Sequence, residues 1–85
     1  MAWTLVWTER ALKDTERLDR GARERVVRAL ERLAETGHGD VVRLETAEPE
    51  WRLRVGAWRV RFVFDHSSRS IRVVRVLPRG RAYRD

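Results

Sequence analysis

The 85-residue chain contains no cysteine, so neither disulfides nor thiolate metal sites can stabilise it. Long hydrophobic runs are missing as well. No stretch exceeds three consecutive apolar residues, Phe62-Val63-Phe64 being one, which is far short of a membrane span. The opening Met-Ala-Trp-Thr lacks the basic stretch and apolar core of a signal peptide. There is no Gly-rich phosphate loop, no zinc-type spacing, and no serine or cysteine nucleophile beside a base. His38 and His66 have no carboxylate or second histidine at ligand spacing and read as surface loop residues. Asp65 and Asp85 are too isolated to form a catalytic carboxylate pair. The length excludes a second domain or a repeat array. These absences leave a single domain over residues 1–85, without metal or cofactor, off the membrane and expected in the cytoplasm. Its apolar share of 42% allows one modest core, near the lower size limit for unaided stability.

Acidic residues are scarce in one half only. Residues 1–50 carry 9 basic and 11 acidic side chains, whereas residues 51–85 carry 10 basic and 2 acidic, net +8. Of the 19 basic residues 18 are arginine. A GC-rich genome would account for arginine over lysine, but not for the near-absence of acids after Glu50. An arginine-rich half on a near-neutral half reads as a polyanion-binding surface on a scaffold. Nucleic acid is the first candidate partner and an acidic protein segment the second.

Residues 3–7, Trp-Thr-Leu-Val-Trp, are aromatic and β-branched and predict a strand. Thr8 followed by Glu9 predicts a helix N-cap with an acid in the first turn. Ala11, Leu12, Thr15 and Leu18 continue at helical spacing, with Gly21 as the stop. Ala22, Val26, Ala29, Leu30 and Leu33 then form one apolar stripe of a second helix, ended by Gly37-His38-Gly39. Such a helical hairpin must bury its stripe against something else. Short strands are predicted at Val41–Leu44, Trp51–Val55, Trp58–Phe64 and Ile71–Leu77, the last with an alternation blurred by Val73-Val74, as for a strand covered on both sides. The fold class is therefore α+β: an N-terminal strand and a helical hairpin on a small, mainly antiparallel sheet.

Gly56-Ala57 fits a two-residue II′ turn. That turn pairs Val55 with Trp58, Arg54 with Arg59, Leu53 with Val60, Arg52 with Arg61 and Trp51 with Phe62. Directly opposed residues share a face, so the aromatic and aliphatic side chains segregate to one side and Arg52, Arg54, Arg59 and Arg61 to the other. Opposed like charges cost a few tenths to ~1 kcal/mol each, and no glutamate inside the hairpin offsets them. The face is either a phosphate-gripping surface, using the planar guanidinium fork, or a solvated face that resists edge aggregation. Trp3, Trp7, Trp51 and Trp58 fall at inward-facing positions and read as core.

The strand–helical hairpin–sheet order resembles that of the RelE/ParE toxin superfamily of toxin–antitoxin modules. So do the segment Trp51-Arg-Leu-Arg-Val-Gly-Ala-Trp-Arg-Val and the ending Val76-Leu-Pro-Arg79-Gly-Arg-Ala-Tyr83-Arg. The resemblance covers essentially the whole chain. It implies a cytoplasmic toxin with a cognate acidic antitoxin. On the RelE-like side, which it favours, the activity is ribosome-dependent, metal-independent cleavage of mRNA. On the ParE-like side the target is DNA gyrase, and the helical hairpin here is short for such a member. Carried over by residue, Arg59, Arg79 and Tyr83 take the catalytic positions. Arg52 and Arg54 match the paired basic positions before the turn, and with Arg61 and Arg81 they take the RNA-binding role. RelE-like members often have lysine where this chain has Arg52 and Arg54. Arginine hardly ever gives up its proton, which leaves the 2′-hydroxyl proton to Tyr83, water or a ribosomal group.

Overall fold

A computed structural model of the chain describes residues 2–45 and 49–80. The elements run β1 (Thr4–Trp7), α1 (Glu9–Thr15), α2 (Arg20–Thr36), β2 (Val41–Leu44), β3 (Glu50–Val55), β4 (Trp58–Asp65) and β5 (Ser70–Pro78). The strands form one sheet in the order β1-β5-β4-β3-β2. β1 is parallel to β5, and the other pairings are antiparallel. This is the expected α+β architecture. Among the described residues, no helix is long and apolar enough to cross a membrane.

Local signals set the helix starts. Thr8 caps α1, its hydroxyl accepting from the Ala11 N–H at 3.1 Å. The sequence expectation at Gly21 is corrected: α2 starts before it, with Asp19 as N-cap accepting from the Ala22 N–H at 2.7 Å. A carboxylate three residues ahead of an orphan donor outweighs a lone glycine in the first turn, where few intrahelical bonds depend on it. Arg23 turns back to the end of α1, its Nε donating to the Thr15 carbonyl at 3.2 Å. Gly37 ends α2 in the left-handed conformation, φ 76°.

The core lies between α2 and one face of the sheet. Ala22, Val26, Leu30 and Leu33 are buried as the stripe requires, with Ala34 beside them. They meet Leu53, Val60, Phe62, Ile71 and Val73, while Trp3, Trp7, Trp51 and Trp58 pack around this cluster half-buried. Leu12 is the exception in the helical pattern at 51% exposed, because α1 turns Ala11 and Asp14 inward instead.

Two turns position the other face. Gly56 sits at φ 57° with Ala57 outside the left-handed region, as a II′ turn demands, and the β3–β4 register is the one expected at all five pairs. The β4–β5 register slips between Arg61 and Phe62: Arg61 opposes Arg75 but Phe62 opposes Val73. Val74 is thus the extra residue of a β-bulge. The blurred alternation of β5 has this cause, rather than coverage on both sides alone. Before the bulge Ile71 and Val73 face the core. After it Val76 does, and Arg75 and Leu77 turn to the opposite side. Thr8 holds the bulge, its hydroxyl lying 2.9 Å from the Val73 carbonyl and 3.2 Å from that of Val74.

Candidate nucleic-acid interface

The face away from the helices carries two cross-strand rows. Arg52, Arg61 and Arg75 stand directly opposed on β3, β4 and β5. Arg54, Arg59 and Leu77 form the next row toward the β3–β4 turn. Adjacent strands lie about 4.8 Å apart, so guanidinium groups in one row are close neighbours unless something separates them.

Acids from outside the hairpin turn do so, which corrects the expectation of an uncompensated field. Glu50, the first residue of β3, pairs with Arg61 Nε, both side chains being only 13% exposed. Asp40, in the turn before β2, accepts from Arg54 Nε at 2.9 Å, and its backbone carbonyl accepts the Arg54 N–H at 2.9 Å. Asp14 of α1 accepts from Arg75 Nε at 2.9 Å and from its terminal NH2 at 3.3 Å. Arg59 folds back over the turn, its guanidinium donating to the carbonyls of Gly56 (2.7 Å) and Trp58 (2.9 Å). That arrangement fixes one end of the fork and directs the cation along the end of the hairpin.

Arg52 is buried at the centre of the face. Its guanidinium is held below the ordinary arginine value, first by burial and then by the charges of Arg59 and Arg54, with Asp40 opposing the shift. The smaller, charge part of this shift comes from the clustering of cations: each neighbour raises the free energy of the charged form. An anion placed among them would lower it.

Arg79 leaves β5 beside the hairpin turn, its N–H donating to the Ala57 carbonyl at 2.8 Å, and is exposed. The chain therefore brings Arg52, Arg54, Arg59 and Arg61 onto one face, with the backbone of Arg79 at its turn end. Arg81 and Tyr83 lie outside the described residues. His38 and His66 are exposed, the latter stacking edge-on against Trp3 with ring centroids 5.4 Å apart. Among the described residues, no three His, Asp or Glu side chains converge as a metal site would need.

Four residues of the face escaped the sequence reading. Glu50 was legible, since it precedes Arg52 by two positions and so shares its side of the strand. Arg75 was hidden by the bulge, because strict alternation from Ile71 sends it to the core. Asp14 and Asp40 belong to other elements and carried no signal.

A family model described as "ParE toxin of type II toxin-antitoxin system, parDE" matches residues 5–83. No curated protein matches the chain. Among solved structures, the archaeal RelE–RelB complex from Pyrococcus horikoshii superposes with a TM-score of 0.80 at 23% identity, over 95% of this chain and 99% of that one. The RelBE2 toxin–antitoxin complex of Mycobacterium tuberculosis also gives 0.80, at 21% identity over 93% and 100%. The isolated RelE toxin of Escherichia coli gives 0.66 at 22% identity, over 98% and 93%. These likenesses are of fold, and the family match spans nearly the whole chain. The chain belongs to the ParE toxin family of type II toxin–antitoxin systems, within the RelE/ParE superfamily.

Proposed function

We propose that this toxin is a ribosome-dependent, metal-independent mRNA endonuclease that halts translation. The observation that carries the reading is the gathering of Arg52, Arg54, Arg59 and Arg61 on one sheet face, with Arg79 entering at its turn end. Metal-free cleavage of RNA needs three things: a group to take the 2′-hydroxyl proton, positive charge for the phosphorane, and an acid for the departing 5′-oxygen. Arg59 and Arg79 supply the charge, their guanidinium groups meeting the oxyanions that develop at phosphorus. Arginine does not give up its proton, so the 2′-hydroxyl passes its proton to water or a ribosomal group, oriented by Tyr83. The departing 5′-oxygen takes one from the Tyr83 hydroxyl or from water. Arg52, Arg54, Arg61 and Arg81 meet phosphate in ground and transition state alike.

The carboxylates on the face refine this division. Arg61 reaches a phosphate by exchanging Glu50 for it, and Arg54 by exchanging Asp40. Ion pairs of this kind keep the forks ordered before RNA arrives. The Arg54–Asp40 pair is about half exposed on both sides, so its exchange costs little. The Arg61–Glu50 pair is largely desolvated, and its exchange costs more.

The partner in the resting module is an acidic antitoxin segment that neutralises the +8 of residues 51–85. Several of the solved structures with this fold are toxin–antitoxin complexes containing RelB. A second reading, inhibition of DNA gyrase without RNase activity, is favoured by one observation, that the matching family model is the one named for ParE. Purified protein added to a translating extract and to a gyrase supercoiling assay separates the two. Arrest of translation with cut mRNA and unaffected supercoiling is the expected result. Inhibited supercoiling with intact mRNA would replace the first reading with the second, and inactivity in both would leave a catalytically inactive RNA-binding member.

A further inference from the structure

The arginine face does not end at β5. β1 pairs with β5 only as far as Val73, and beyond that point α1 takes over the edge, Asp14 accepting the Val76 N–H at 2.8 Å. On the outside of α1, Arg10, Lys13 and, just past its end, Arg17 are exposed. Together with Glu9, Asp14 and Arg75 they line a cavity of about 350 Å³. Arg75 belongs to both surfaces: it opposes Arg61 on the sheet and lines this cavity.

Two features decide what the cavity fits. Asp14 is committed to Arg75 and to the Val76 N–H, which leaves Glu9 as the acid set against Arg10, Lys13 and Arg17. None of the six lining residues is apolar. An amphipathic protein segment needs an apolar core to its interface for stable docking, whereas a phosphodiester backbone needs spaced cations and no apolar wall.

We infer that this cavity is a second phosphate-binding subsite, where a single-stranded RNA backbone leaving the sheet face crosses β5 and continues along Arg10, Lys13 and Arg17. The inference rests on the RNA-directed reading above, and it adds that the RNA track runs across the strands, along the Arg52–Arg61–Arg75 row, rather than parallel to them. The aligned row supplies the direction, and α1 extends it past the edge of the sheet.

The test uses the full chain and a short 2′-O-methylated oligoribonucleotide, which binds but offers no 2′-hydroxyl for cleavage. The combined variant R10Q/K13Q/R17Q retains the aliphatic stems and helix propensity at exposed positions. Single-strand binding loses about 0.7 in the slope of log K against log salt for each phosphate contact removed. Three contacts predict a slope shallower by about 2, with affinity lowered ~10–100-fold at physiological salt. Glu9→Gln should act in the opposite sense and tighten binding a few-fold. A parental slope and affinity in both variants would overturn the subsite. So would loss of poly-glutamate binding in the triple variant with RNA binding intact, since the cavity would then serve an acidic polypeptide. The two readings fail separately. A parent that binds the oligonucleotide with the triple-sensitive slope, yet cuts no mRNA on ribosomes, upholds the subsite and refutes the nuclease. A parent that cuts mRNA, with a triple variant of unchanged slope, refutes the subsite alone.

Discussion

Arg75 stands directly opposite Arg61 across the β4–β5 pairing, on the face its sequence position would deny it, because Val74 bulges out of β5 just before it. The bulge converts a residue of core parity into a member of the arginine row, and the charge is met by Asp14 from α1. One carboxylate thus satisfies the Arg75 fork and the Val76 N–H at the edge that β1 leaves open.

Asp14→Ala is expected to be the most damaging single change outside the apolar core. The pair is largely buried, with side chains 11% and 6% exposed, and deleting one partner of a buried pair costs ~3–5 kcal/mol. Replacing both, as Asp14→Leu with Arg75→Met, should recover part of the loss, the Val76 N–H still lacking its acceptor. Urea denaturation of the two variants measures this. A double variant less stable than the single one would contradict it.

Glu50→Gln should separate stability from RNA affinity. Arg61 loses its charged partner, so the fold weakens. The same change removes a negative charge from the proposed phosphate path and releases the Arg61 fork, so RNA binding should strengthen up to about tenfold at low salt, the scale of one unit-charge interaction at contact in water. Parallel thermal melts and RNA titrations read the two effects. Weaker RNA binding would show that Glu50 helps to shape the site rather than to guard it.

Single-turnover cleavage at saturating ribosomes distinguishes grip from catalysis. Arg52→Ala and Arg54→Ala should mainly weaken binding, and Arg79→Ala and Tyr83→Phe should lower the maximal rate by roughly 10²–10³. Arg59→Ala should do some of both. Parental maximal rates for the Arg79 and Tyr83 variants would remove those residues from the catalytic assignment.

Acid should loosen the β4–β5 turn only once pH falls below the usual carboxylate value. The Asp65 carboxylate accepts from the Ser67 and Ser68 N–H groups and from the Ser67 hydroxyl, and these bonds, that of Ser67 foremost, hold it below the usual carboxylate value. A group with a depressed folded value contributes its stability above the unfolded value, about 4, and loses it as pH falls through the folded one. Asp65→Asn should therefore flatten the dependence of stability on pH below about 4. An unchanged acid limb in the variant would assign acid lability to other carboxylates.

Association with the antitoxin should be fast at low salt and slow steeply as salt rises, because long-range attraction to the basic half steers the encounter. Between about 50 and 500 mM salt the Debye length falls roughly threefold. Stopped-flow association rates that stay constant over this range would mean that apolar contacts alone guide the complex.

The sequence by itself determined the features whose causes are local. The β3–β4 register follows from Gly56-Ala57, since a two-residue turn with a left-handed first position permits one pairing, and period-two alternation does the rest. The stripe on α2, its Gly37 end and the Thr8 cap follow from spacing and capping chemistry within a few residues. Tertiary structure decided what depends on pairing between distant segments. The bulge at Val74 arises where β5 must satisfy β4 on one side and Thr8 on the other, and no window of β5 alone encodes both demands. The arginine face acquires its counter-charges from Asp14 and Asp40, 38 and 12 residues ahead of Arg52, through contacts that exist only once α1 and the turn before β2 are docked. A charge pattern is written along the chain, but its compensation depends on distances, and distances are set by the fold.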